Sequence, residues 1–172
     1  MKKTLGTVCA AAVIAFGGTL MAAAPAAAGD LNCRSTIGAR YIDDNVKVPR
    51  GATCTLNGTV VDGNVIVEKG GTAILNGARV DGNVQGEGHA RVNVSRSYVD
   101  GSIQLKQGGA ADLRSNTVNG DIQLFTNRGA QSVVSNRVDG NLQCKENRPA
   151  PTGWGNIVKG NAEDQCRGLA RR

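Results

Sequence analysis

Aromatic side chains are scarce in this chain, at 3% of its 172 residues. So few rings suit a narrow interior filled by Val, Ile, Leu and Ala rather than a wide core built on large side chains. Histidine is rarer still: His89 is the only one, in the run Gly86-Glu87-Gly88-His89-Ala90-Arg91. With a single histidine and no Cys-x-x-Cys pair, a zinc site lacks its ligands. No serine or cysteine stands in a recognisable nucleophile setting either, so neither an enzyme nor a resident cofactor is expected. Basic clusters are missing as well. Lysine and arginine are scattered, apart from Arg167, Arg171 and Arg172 at the tail, and nucleic acid is not an expected partner. Glycine, at 24 residues and recurring throughout, speaks against a helical architecture.

Long apolar runs are absent beyond the N-terminus. There Lys2 and Lys3 precede an apolar stretch that Gly17, Gly18 and Thr19 interrupt, well short of the ~18 to 20 residues a spanning helix needs. Small residues ending in Ala26-Ala27-Ala28 complete a secretory signal over residues 1–28, with cleavage expected after Ala28. Cys9 lies at the start of the apolar stretch rather than after it, which disfavours a lipid anchor. Taking 28 from 172 leaves 144 residues, enough for one domain, and lowers the net charge from +6 to +4 because only Lys2 and Lys3 leave. The mature chain is expected to be free of membrane and to reside outside the cell, in the periplasm or in the cell envelope.

What the chain does have is a repeat. The element reads VDGNV at Val61–Val65 and Val80–Val84, VDGSI at Val99–Ile103, VNGDI at Val118–Ile122, VDGNL at Val138–Leu142 and VKGNA at Val158–Ala162. Successive starts lie 19, 19, 19, 20 and 20 residues apart, and a degenerate copy, Ile42–Val46, sits another 19 back. Aligned, the copies form columns. The first holds Ile42, Val61, Val80, Val99, Val118, Val138 and Val158; the fifth holds Val46, Val65, Val84, Ile103, Ile122, Leu142 and Ala162. Period-two alternation of this kind marks strands, with positions one, three, five and seven inward and two, four and six toward water. Glycine at the third position from Gly63 onward implies a corner or a backbone contact too tight for a Cβ. A meander of hairpins would reverse alternate strands and spoil the constant register.

The expected fold is therefore all-β: a single-domain parallel β-helix, or β-solenoid, in which each coil closes the apolar face of its neighbour. At about 4.8 Å per coil, seven coils make a rod roughly 30 to 35 Å long. The coil spacing and the absence of a hexapeptide rhythm favour a right-handed winding. Residues 29–41 are expected to form an N-terminal cap segment, 42–162 the solenoid, and 163–172 a C-terminal cap and basic tail.

After signal removal four cysteines remain, Cys33, Cys54, Cys144 and Cys166, an even number in an oxidising compartment. The spacings are 21 for Cys33 to Cys54 and 22 for Cys144 to Cys166, one coil plus two in each case. Other pairings would cross five or more coils, some 24 Å or more, against a disulfide Cα separation below roughly 7 Å. Bridges Cys33–Cys54 and Cys144–Cys166 are predicted, stapling the two ends of the stack.

Outward columns carry the candidate contacts. Asp43, Asp62, Asp81, Asp100 and Asp139 share the second position, and stacked carboxylates repel by about 1 kcal/mol per pair even in water. Arg79 and Arg137 are placed to offset that repulsion. So is a divalent cation bound with help from Asn45, Asn64, Asn83, Ser102, Asp121 and Asn141, although Asp and Asn before Gly are also ordinary turn residues. Gln85, Gln104, Gln123 and Gln143 form an amide ladder that stabilises stacked strands and favours association. Trp154 is a candidate ligand contact that could stack on a sugar, or else covers the end of the core.

The V-x-G-[NSD]-[VIL] element, as in Val80-Asp81-Gly82-Asn83-Val84 and Val118-Asn119-Gly120-Asp121-Ile122, resembles the repeat of the bactofilins. Members of that family are bacterial polymer-forming proteins with a right-handed β-helical core that assemble end to end without nucleotide. The resemblance spans about residues 42–162 and implies a structural, self-associating protein. The secretory signal and the cystine-closed ends are departures from the family. The expected function is that of a non-enzymatic, exported structural or surface protein acting in adhesion or self-assembly. A small carbohydrate- or ion-binding module of the cell envelope is the second expectation, and the partners implied are another copy of the chain or a cell-surface glycan.

Overall fold

The computed structural model describes residues 29–171, so the secretory signal expected over residues 1–28 lies outside the described residues. Every described element is a short strand, and the strands stack into three parallel sheets of eight, seven and seven members. One turn of the chain visits the three sheets in sequence before returning one level on. The first face is built from strands such as Val65–Val67, Val84–Glu87 and Ile103–Lys106. The second contains Thr72–Asn76 and Arg91–Ser95, and the third Arg79–Val80 and Tyr98–Val99. The fold is a β-solenoid with coils of about 19 residues, as the repeat predicts.

Register follows the repeat residue by residue. Val65 pairs with Val84, Val84 with Ile103, Ile103 with Ile122 and Ile122 with Leu142. Each of these side chains is completely buried. The same holds on the third face for Val61, Val80, Val99, Val118 and Val138, and on the second for Leu56, Leu75, Val94 and Leu113. Burying one such side chain is worth about 1.5 to 3 kcal/mol. Like stacks on like, so a single narrow core of aliphatic columns runs the length of the rod.

Two expectations change in detail. Positions one to seven of the repeat do not form one strand: Val60–Val61 belongs to the third face, Val65–Val67 to the first, and Asp62-Gly63-Asn64 is the corner between them. A Cβ on Gly63 would stand 2.6 Å from Asn45 Oδ1 of the preceding coil, which is why only glycine fits there. Likewise, residues 29–41 are not merely a cap. Leu31–Asn32 and Thr36–Ile37 pair with Val46–Lys47 and Thr55–Leu56, and so supply a first coil of their own.

The corners are held by polar ladders running along the stack. At the first corner the backbone N–H of Asn64 donates to Asn45 Oδ1 at 2.7 Å, that of Asn83 to Asn64 Oδ1 at 2.9 Å, and that of Ser102 to Asn83 Oδ1 at 2.8 Å. Between the second and third faces the polarity reverses. Ser97 N–H donates to Asn116 Oδ1, Asn116 N–H to Asn136 Oδ1 and Asn136 N–H to Asn156 Oδ1, each at 3.0 Å. These asparagines are buried, and their amides also donate to the carbonyls of Val94, Leu113 and Val133. A third ladder, Gly108, Asn127, Asn147 and Gln165, closes the corner between the first and second faces. Interior polar groups of this kind are tolerable because every rung has partners on both sides.

The two ends differ. Beyond the last strand, Ala162–Asp164, the chain turns so that Cys166 is fully buried, Leu169 packs against the core and Ala170 bridges Asn156. At the other end most of residues 31–41 are exposed, and a shallow hollow is lined by Leu31, Cys33, Ile37 and Arg40.

Candidate functional site

The two predicted cystines are formed. Cys33 pairs with Cys54 at a Cα separation of 5.5 Å and Cys144 with Cys166 at 5.2 Å. All four are buried and belong to the core, so each bridge ties a terminal coil to the next from within. Cystines of this kind persist in an oxidising compartment.

The aspartate column lies at the corner beside the third face, and most of its carboxylates have protein partners. Tyr41 Oη donates to Asp62 Oδ2 at 2.8 Å, Tyr98 Oη to Asp100 Oδ1 at 2.8 Å, and Asn119 Nδ2 to the same Asp100 oxygen at 2.7 Å. Arg79 pairs with Asp81 and Lys159 with Asp139, both at 2.7 Å. Of the two arginines expected to do this, Arg79 does, whereas Arg137 forms no ion pair among the described residues; the tyrosines and Lys159 were not expected in this role. Both phenols are pushed above their ordinary pKa, first by the hydrogen bond to the carboxylate and then by partial burial. Arg79 also lies 4.7 Å over the ring of Tyr98. Asp43 has exposed surroundings on the first of these rungs.

Among the described residues no three His, Cys, Asp or Glu side chains gather closely enough to hold a metal ion. The neighbouring oxygens of Asn45, Asn64, Asn83, Ser102 and Asp121 accept backbone N–H groups of the next coil. They are turned along the stack rather than toward the aspartates.

Glutamines form the amide ladder on the first face. Gln85 Nε2 donates to Gln104 Oε1 at 3.4 Å, Gln104 to Gln123 at 3.3 Å and Gln123 to Gln143 at 3.1 Å; Gln143 ends the run on Glu163 at 2.9 Å. Beside it runs a groove of about 750 Å³, lined by Arg50, Ile66, Glu68, Lys69, Gln85, Glu87, Gln104, Lys106 and Gln107 among others. Glu68 is fixed by Lys47 at 3.1 Å and by the Arg50 N–H at 3.0 Å, and these bonds hold its carboxyl below the usual range. Lys106 lies 5.9 Å from the centre of the Phe125 ring. The first-face turn loops form one wall of this groove, a feature no periodicity announces.

Trp154 is on the outer side of the second face, 66% exposed, in register with Val134. Its ring therefore does not cover the end of the core. The Gln165–Arg171 turn does that instead, through its own Cys166 in the core and Leu169 packed against it. His89, which the sequence places in a glycine-rich turn, is 2% exposed, and neither ring nitrogen has a hydrogen-bond partner. Burial pushes its pKa down. Gln131 is a second unannounced interior group: it replaces a small apolar residue in the second-face column and donates to the carbonyls of Gly109 and Gly129. Asn116, Asn136 and Asn156 were legible in principle, since each stands two residues before an inward valine and alternation turns it inward too.

No helix among the described residues is long and apolar enough to cross a membrane. Compared with known proteins, the chain matches no family model, no curated protein and no solved structure.

Proposed function

We propose that this chain is an exported, non-enzymatic structural protein of the cell surface or envelope, a short stiff rod that presents fixed columns of side chains for adhesion or assembly. The observation that carries this reading is where the polar residues go. Those that recur once per coil bond to the next coil: the asparagines at three corners and the glutamines on the first face. Such residues build stiffness along the axis rather than converge on one reacting atom. The likeness of the repeat to the bactofilins points the same way, and the cystines suit a protein that works outside the reducing cytosol. Large exposed side chains, Tyr41 at 62%, Trp154 at 66% and Ile157 at 38%, supply contact surface.

Fractionation of producing cells, with thiol labelling before and after reduction, tests the reading. The chain is expected outside the cytoplasm, shortened at Ala28 and unlabelled until reduced. Recovery from the cytosol uncleaved and with all its thiols free, or turnover of a polysaccharide by the pure protein, overturns it.

A further inference from the structure

We propose that the groove on the first face binds a linear, neutral, hydroxyl-rich polysaccharide laid along the coil axis. A rod that bound no glycan would still be a scaffold, so this ligand is a separate property of the molecule.

The floor of the groove is the upper part of the glutamine ladder. Gln104 donates one amide N–H to Gln123 and accepts one from Gln85. A primary amide has two N–H groups and two lone pairs on oxygen, so this rung keeps one donor and one acceptor for a ligand. The rungs repeat at the strand spacing of about 4.8 Å, which makes a comb of paired donors and acceptors. A sugar hydroxyl donates and accepts at one oxygen, and a row of hydroxyls complements a row of such amides. The groove spans the coils from Arg50 to Gln107 and suits an extended polymer rather than a single sugar.

The walls set the charge. Arg50, Lys69 and Lys106 line it together with Glu68 and Glu87, so a polyanion would meet carboxylates and a polycation would meet ammonium and guanidinium groups. A neutral chain of hydroxyls finds acceptors in the former and donors in the latter. Ile66 is the outward apolar side chain of the floor, too little for a lipid or an apolar peptide. Nor does a peptide have a strand edge to extend here, because the strands flooring the groove are paired on both sides.

The test is a microarray printed with β-1,4-glucan, β-1,4-mannan, β-1,4-xylan and chitin oligosaccharides beside polygalacturonate, probed with the mature disulfide-bonded protein. Retention on at least one neutral polymer is expected, unchanged when salt is raised to about 1 M, where charge attraction is screened. The Gln85→Leu/Gln104→Leu pair should weaken it at least tenfold, whereas Trp154→Ala and Tyr41→Ala leave it intact. Should the glutamine pair fail to fold, Arg50→Ala/Lys69→Ala alters the wall alone and should also weaken retention. Binding to no neutral polymer, binding only to polygalacturonate and lost in salt, or binding that survives both groove variants and falls with Trp154→Ala would each overturn the proposal. Self-association that masks the groove would show as a dimer by light scattering with no glycan retained, and it too sinks the glycan reading while sparing the scaffold.

Discussion

The imidazole of His89 occupies the room that Gly86 leaves in the core: a Cβ built on Gly86 would lie 2.9 Å from His89 Nδ1 and 3.2 Å from Leu105 Cδ2. Elsewhere this inward column holds Val48, Val67, Leu105, Leu124 and Cys144, all buried. On the next coil the turn position equivalent to His89 is Gly108, where a Cβ would overlap the ring. One coil has thus exchanged its column side chain for a side chain borrowed from its turn.

That exchange predicts a coupled pair. Gly86→Leu alone overpacks the core and should cost about 1 to 3 kcal/mol, whereas His89→Gly alone opens a cavity of comparable cost. The double variant restores the Leu-with-Gly arrangement of the following coil and should recover most of the loss. Urea denaturation of the four proteins measures it, and purely additive losses would sink the pairing.

His89 also predicts a pH dependence. Its folded pKa is lowered by burial, so the unfolded chain takes the proton more readily. The stability it protects is then present above the unfolded value of about 6.5 and is lost as pH falls from there through the folded value. The melting temperature should fall between pH 7 and 5, and His89→Leu should flatten that part of the curve. An unchanged slope in the variant would refute the assignment.

Asn136 is the test of the buried ladder. Its amide accepts from Asn116 N–H at 3.0 Å and donates to Leu113 O at 2.9 Å and to Asn156 Oδ1 at 3.0 Å, so truncation strands groups on the coils before and after it. Asn136→Ala should cost about 2 to 4 kcal/mol, since each unsatisfied buried group costs about 1 to 3. The exposed Asn57, which only accepts from Asn76 at 2.9 Å, should cost well under 1 kcal/mol when truncated. Equal losses at both sites would contradict a structural role for the interior ladder.

Each cystine closes a loop of 21 or 22 residues and should contribute about 3 kcal/mol by restricting the unfolded chain. Cys144→Ala/Cys166→Ala should also loosen the turn that covers the last coil. Hydrogen exchange should then speed up first at residues 162–171 and leave Val84–Leu105 protected. Uniform acceleration along the rod would show that the bridge acts only globally.

Backbone strain offers a stabilising change. At the corner between the second and third faces Gly58 and Gly77 have φ of 62° and 58°, and Ser115 holds the same left-handed conformation at 54°. A non-glycine residue there costs roughly 1 kcal/mol. Ser115→Gly should therefore raise stability by up to about 1 kcal/mol, while Gly101→Ala, aimed at Asn83 Oδ1 2.5 Å away, should lower it. A calorimetric melt of the two variants decides.

Much of this architecture is written in the sequence, because a solenoid repeats one local problem. The 19-residue spacing of Val61, Val80 and Val99 fixes which residues stack, and stacking fixes which cysteines lie one coil apart. Period-two alternation around Gly63 and Gly82 marks the inward columns and the corner. What the sequence could not decide is how side chains from different parts of one coil share the narrow interior. That His89 fills the gap at Gly86, that Asn136 turns inward to bond two coils, that Gln131 is tolerated in an apolar column and that Trp154 faces solvent all depend on three sheets meeting at a common axis. The groove beside the glutamines has the same origin. Its floor is a sequence column, but its walls are turn residues brought alongside only when the coil closes.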